Sequence, residues 1–213
     1  MNSTNVSGEN RITRKKHKTR IKLLTVATEL IARKGFETLT ADDIADGADV
    51  GRRTFYNYFE GKVDCIIEAV RVRYEAYARA HTEQLSQVLI GSDVDSADVV
   101  ARMANAMFNS IATDPITEKL TAYPHILNNA ITESQRDFLT ANIASGVIRG
   151  RFQPVASPEI AEPITSWGFI GLVIASIHRQ SQVPDGMEWA RFVLTMLGLS
   201  HHEIDALNIF QEL

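Results

Sequence analysis

Apolar residues recur along most of this chain at three- and four-residue spacing and nowhere in sustained alternation, so the pattern predicts helices throughout and no sheet. Leu23, Leu24, Ala27, Leu30 and Ile31 mark one face of a helix over 14–34, which Gly35 closes. Leu39, Thr40 and Asp43 form the next start signal, with Thr40 as N-cap, Asp43 in the box position and Leu39 placed to staple against Ile44. A short helix over 41–48 follows. Asp49 then supplies a turn residue that tolerates the left-handed conformation, Val50 an apolar plug, and Gly51 the N-cap of a third helix over 52–58. A long connecting helix runs from 62 to about 87, with Val63, Ile66, Ile67, Val70 and Tyr74 on one stripe, until GSDVDS at 91–96 breaks it. Further helix starts are predicted at Ser96, at Thr132 or Ser134, at Ser157 before Pro158 and Glu159, and after Asp185.

Two short helices joined by a tight turn, with Ile44, Ala45, Val50, Phe55 and Phe59 inward, make a helix-turn-helix pattern. The stretch GRRTFYNYFEGK, 51–62, holds four aromatics and two adjacent arginines. On a helical wheel Phe55 and Phe59 share one side, which leaves Arg52, Arg53, Thr54, Tyr56 and Asn57 projecting. These residue types suit base edges: a planar donor fork for guanine, a paired donor and acceptor for adenine, and a methyl contact for thymine. Tyrosine hydroxyls and Lys62 suit phosphate oxygens.

Composition narrows the class. At 213 residues and 45% hydrophobic, the chain is long enough to bury one good-sized core, or a small domain and a larger one. One cysteine, Cys65, excludes an internal disulfide and a cysteine-rich zinc site. The beginning MNSTNVSGEN lacks the apolar run of a signal peptide, and the longest apolar stretch, GFIGLVIA at 168–175, is too short to span a bilayer; a cytoplasmic protein with no membrane-crossing segment is expected. The formal charge of −4 conceals an asymmetry: residues 1–64 hold 12 Lys+Arg and 9 Asp+Glu, net +3, and the remainder is −7. Within the basic end, RITRKKHKTRIK at 11–22 carries seven Lys and Arg and no acid, either a polyanion-binding arm or a solvated helix start.

Through GFETLTADDIADGADVGRRTFYNYFEGKVD and the amphipathic helix before it, the chain resembles the tetracycline-repressor (TetR) family of bacterial transcriptional regulators. The resemblance covers roughly residues 20–70, and Asp49, Gly51 and Cys65 depart from it, standing where glycine, Ser or Thr, and leucine are usual. It implies that Thr40 caps its helix near a phosphate, that Arg52 to Asn57 occupy the major groove, and that Tyr56, Tyr58 and Lys62 hold the DNA backbone. It also implies that an N-terminal arm reaches an adjacent minor groove through Arg14 and Arg20.

The implied architecture is all-α, with about nine or ten helices: a flexible arm over 1–13, a three-helix DNA-binding domain over 14–61, and a helical effector-binding and dimerisation domain over 62–213. In that last domain Met103, Met107, Phe108, Tyr123, Phe138, Trp167, Ile170 and Ile174 are candidate effector contacts, although a stripe of this kind is more often plain core. Their character points to an apolar or aromatic effector. Gly168 and Gly171 permit close helix approach and, with Leu172 and Ala175, lie either at a dimer interface or at a tight contact within the chain.

Catalysis has little support. The six histidines are scattered, and His201, His202 and Glu203 at consecutive helical positions do not converge on one metal. The chain has no Gly-x-Ser-x-Gly elbow and no phosphate-cradling glycine loop, and neither a cofactor nor an enzyme activity is expected. The expectation is a ligand-responsive regulator, a repressor, that binds a palindromic DNA operator as a homodimer. A module held on anionic membrane by the basic arm, and a helical enzyme of unrecognised type, are the rival readings.

Overall fold

The computed structural model describes residues 5–88, 95–178 and 185–211, the side chains of 5–12, 88 and 132–142 excepted. Among the described residues the chain is all-α, with eleven helices and no strand, one helix more than expected. It divides into two compact units, Met1–Val70 and Arg71–Leu213, and the division falls within a helix rather than at Gly61.

The first unit contains α1 (Asn5–Lys34), α2 (Ala41–Gly47), α3 (Arg52–Tyr56) and the beginning of α4 (Lys62–Val88). Leu23, Ala27 and Ile31 of α1, Ile44 and Ala45 of α2, Phe55 and Phe59, and Ile66 of α4 are all buried in the core of this unit. α1 begins at Asn5, so the segment expected to be a flexible arm is helical from there on. No proline lies between Asn5 and Lys34, and nothing steric stops the helix at Arg14.

Thr40 caps α2 as the spacing requires. Its hydroxyl accepts from the Asp43 amide at 3.1 Å, while its own amide donates to the Asp43 carboxylate at 2.9 Å. The end of α2 is a Schellman cap: Asp49 N–H donates to Asp46 at 2.9 Å and Val50 N–H to Ala45 at 3.0 Å, with Asp49 at φ +51°. Gly47 allows α2 to lie against α1, since a Cβ there would sit 2.7 Å from the Val26 Cγ1.

The second unit is built around α5 (Ser96–Ala112), which buries Val100, Met103, Met107, Phe108 and Ile111. Packed on it are α6 (Pro115–Lys119), α7 (Pro124–Ile148), α8 (Pro158–Ile177), α9 (Gly186–Met196) and the short α11 (Asn208–Gln211), while the short α10 (His201–Asp205) packs on α9 and α11. The α9 start meets α5 so closely that a Cβ on Gly186 would fall 2.8 Å from the Asn105 carbonyl oxygen. The remainder of α4 is tied to α6: Arg73 and Tyr77 both reach the buried Asp114 carboxylate, and the Tyr74 hydroxyl meets Thr117 at 2.6 Å.

Helix starts at Ser157 and Asp185 fall where expected, but Asp95, one residue early, caps α5. Thr132 and Ser134 begin nothing, because α7 already runs through them from Pro124. Pro115 and Pro124 at the first helical turn were the unread signals for α6 and α7.

α8 departs most from expectation. Its charged residues, Glu159 and Glu162, are confined to the first turns, and an 18-residue window reaches mean hydropathy 1.5 with only 17% of it buried. By length and composition this helix is able to cross a membrane, whereas the apolar run legible in the sequence spans only 168–175.

Asp49 carries two costs, a left-handed backbone on a residue with a Cβ and a negative charge at the C-terminal end of α2. Asp49→Gly removes both and is expected to stabilise the protein by about 1 kcal/mol. Thermal denaturation should show a rise of a few degrees; a fall would contradict these two costs.

Candidate nucleic-acid interface

The geometry of the first unit follows from what α3 buries. Phe55 is 0% exposed and Phe59 2%, their rings 5.6 Å apart, so this side of the helix and the turn after it is fixed against the core. Each ring removed from water supplies about 1.5–3 kcal/mol. With that side committed, Arg52, Arg53, Tyr56 and Asn57 are exposed and Thr54 is half-buried. Arg52 lies 3.3 Å from Asp42 and 5.7 Å above the Tyr56 ring, while Tyr56 stands edge-on to Phe55 at 5.4 Å. Arg53 makes no ion pair among the described residues. α3 is shorter than expected, ending at Tyr56, and Asn57 is its C-cap.

Two cations expected at DNA are engaged within the unit. Arg20 forms a two-pronged pair with Glu68, one bond being 2.6 Å, reaches the Tyr58 carbonyl at 3.5 Å, and lies 4.9 Å above the Phe59 ring. Lys62 donates to the carbonyls of Phe36 at 3.1 Å, Glu37 at 3.4 Å and Leu39 at 2.8 Å, and stands 4.4 Å over the Phe36 ring. Both side chains therefore brace the fold around α3. Arg14 is exposed on α1, and Tyr58 is half-buried beside Phe59. Glu68 and Asp42, the acids that hold Arg20 and Arg52, were missed by sequence reasoning; Arg20 and Glu68 are 48 residues apart and share no local pattern.

Thr40 is exposed, yet its amide and hydroxyl are both occupied by Asp43. Lys34 donates to the same carboxylate at 2.7 Å, and these bonds hold the Asp43 pKa down at about 2. Burial pushes the Cys65 thiol up to about 12, which leaves it protonated and unreactive at neutral pH.

In the second unit the structure separates the expected effector contacts. Met103, Met107, Phe108 and Ile170 are buried, Tyr123 and Ile174 are half-buried, and the Phe138 side chain lies outside the described residues. Trp167 is 49% exposed and does not share that interior. Phe169 and Trp189, overlooked in the sequence, do: Phe108 meets Phe169 at 5.7 Å, and Phe169 meets Trp189 at 5.2 Å. Among the described residues, the Asn128 Oδ1 is the buried side-chain polar atom with no hydrogen-bond partner.

Trp167 lies instead on an outward row of α8 with Ile160, 56% exposed, Ile164, 53% exposed, and the exposed Gly168 and Gly171. A Cβ added at either glycine would meet nothing within 4 Å, so neither marks a tight contact among the described residues. Leu172 and Ala175 are half-buried at the edge of this row. No cluster of three or more potential metal ligands occurs among the described residues.

Residues 23–69 match the family model of bacterial regulatory proteins, tetR family. The chain is also similar in fold to RolR in complex with resorcinol, at 23% identity and TM-score 0.70, covering 90% of this chain and 93% of that one. The fatty acid degradation regulator FadR from Bacillus halodurans aligns at 18% identity and TM-score 0.57, over 85% of this chain and 96% of its own. A TetR-family transcriptional regulator from Rhodococcus sp. aligns at 14% identity and TM-score 0.58, over 85% and 100%. No curated protein matches the chain. The match over residues 23–69 and the helical fold are those of bacterial regulatory proteins. The first unit is a tetR-family domain, and the chain has the TetR-family regulator fold.

The Asp43 pKa carries a stability consequence. A folded value near 2 below an unfolded value near 3.8 contributes stability that is complete above the unfolded pKa and lost as pH falls through about 2. Urea midpoints measured from pH 6 down toward pH 2 are expected to fall less steeply for Asp43→Asn than for the wild type. Parallel curves would remove Asp43 from the acid limb.

Proposed function

We propose that this protein is a ligand-responsive transcriptional repressor that binds a palindromic operator as a homodimer and is released by a small aromatic or apolar effector. The observation that carries the reading is the exposed row Arg52, Arg53, Tyr56 and Asn57 on a helix whose opposite side is locked by Phe55 and Phe59. Arg53, free of any ion pair among the described residues, has its donor fork available for guanine O6 and N7. Asn57 offers the amide that adenine accepts, and Tyr56 and Tyr58 reach phosphate oxygens. Thr40 and Lys62 meet the backbone only by giving up or sharing their present bonds with Asp43 and with the carbonyls at 36–39.

A second copy of the chain is the proposed cover for the α8 row. Ile160, Ile164 and Trp167 supply apolar area, and Gly168 and Gly171 let a partner helix approach closely. Such a pairing would exempt α8 from a membrane, and it gives the two recognition helices the symmetry that a palindromic site demands, roughly 34–36 Å apart on one face of B-DNA.

For the effector, the interior of Met103, Met107, Phe108 and Phe169 favours an aromatic body, and the buried Asn128 Oδ1 of the same unit is an acceptor without a partner among the described residues. The resorcinol bound by the similarly folded RolR is a ligand of that kind. Release requires only that the effector bind the DNA-incompetent arrangement more tightly than the competent one.

Fluorescence anisotropy on duplexes from the gene's own upstream region, with sedimentation alongside, tests the reading. Arg53→Ala and Tyr56→Ala are expected to lose operator binding by tenfold or more each while remaining folded dimers. Trp167→Glu is expected to yield a folded monomer that binds weakly. Full operator affinity in both α3 variants would discredit the assigned face, and an unchanged dimer in Trp167→Glu would move the interface elsewhere.

A further inference from the structure

The basic run before Arg20 takes on a definite shape once α1 is seen to begin at Asn5. Arg20 pins the helix to Glu68, Tyr58 and Phe59 at the end of the recognition segment, and among the described side chains of α1 the first wholly buried one, Leu23, comes only afterwards. N-terminal to this anchor, Arg14, Lys15, Lys16 and Lys18 are exposed, as is Lys22 just beyond it. None of the five makes an ion pair among the described residues.

At 100° per residue, Arg14, Lys18 and Lys22 form a ladder at four-residue spacing with Lys15 beside it. The ladder lies on the side of α1 opposite Leu23, Leu24 and Ala27. It extends about 12 Å along the axis.

This arrangement costs stability. Like charges four residues apart on one helix face repel each other. No acid relieves them, since none occurs from Asn10 to Thr28. A row of unpaired cations that faces away from its own domain, on a helix held rigidly beside the recognition segment, fits a polyanion.

We infer that the outward row Arg14, Lys15, Lys18 and Lys22 is a second, sequence-independent contact to duplex phosphates, which supplies non-specific affinity while α3 supplies sequence preference. The inference rests on the DNA-binding reading above. It departs from the expectation of a flexible arm reading the minor groove: a continuous helix presents charges along a backbone rather than threading a single arginine between strands. DNA is favoured over an anionic bilayer because the row belongs to the same unit as α3 and, among the described residues, Ile21 alone is an exposed large apolar side chain beside it, too little to bury in lipid.

The test compares the full-length wild type with the fourfold variant R14Q/K15Q/K18Q/K22Q, on a duplex of arbitrary sequence and on the upstream-region operator. Circular dichroism and sedimentation confirm that the variant is folded. Removing one cation from a phosphate lowers the slope of log K against log salt by about 0.9, so the variant's slope should be smaller by about 3 to 4 per bound subunit, about 7 for a dimer, on both duplexes. Its preference for operator over arbitrary duplex should be retained. Arg53→Ala should do the reverse, losing the preference and keeping the arbitrary-duplex slope.

An unchanged slope in the fourfold variant overturns the inference and leaves the α3 reading intact. Loss of preference with unchanged slope overturns it also, by making the row a sequence reader. Wild-type co-sedimentation with phosphatidylserine vesicles that the fourfold variant loses, without any change in the duplex slope, assigns the row to membrane and overturns it as well. A wild type that binds neither duplex removes the DNA reading and this inference together.

Discussion

The burial of Phe55 and Phe59 is what the first unit turns on. A five-residue helix cannot hold its own orientation, since it closes too few hydrogen bonds to offset the order it imposes. α3 is fixed because one of its sides is bolted into a core made by α1, α2 and α4, and because the Schellman turn at Asp49 and Val50 delivers it there at a set angle. Everything that projects from the other side follows without further specification. Replacing Phe55 by alanine would cost about 3–5 kcal/mol and would remove the orientation of the row together with the stability.

The cations around this core divide by what they meet. Arg20 and Lys62 turn inward, one onto a carboxylate and an aromatic face, the other onto three carbonyls and an aromatic face, and each braces an end of the recognition segment. Arg53 and the outer cations of α1 meet no acid among the described residues. Residue type alone does not separate these groups, because an arginine that bridges Glu68 and an arginine left exposed look the same in a sequence. The difference lies in what the fold brings within reach.

That explains what was legible. Helix positions from Leu23 to Gly61 followed from caps and periodicity, because Thr40, Asp43, Asp49 and Gly51 act on their immediate neighbours. The long pairings of Arg20 with Glu68 and of Arg73 and Tyr77 with Asp114 leave no local trace, and they were out of reach. In the second unit, burial sorted residues that periodicity could not. Trp167 and Ile170 are three positions apart on α8, yet one faces outward with Gly168 and Gly171 while the other is buried. A helix apolar on nearly all sides has no polar face to reveal which side packs, so only the tertiary structure separated core from exposed row.

The proposed function depends on the exposed side of α3 lying in a major groove. Guanine N7 is exposed there and nowhere else on B-DNA, so dimethyl sulfate protection on the upstream duplex reports the contact directly. Wild-type protein should shield a symmetric pair of guanines, and Arg53→Ala should unshield them at concentrations raised to restore occupancy. Full occupancy by wild type with every guanine N7 still reactive would contradict that placement, because α3 would then not be the element reading the groove through guanine.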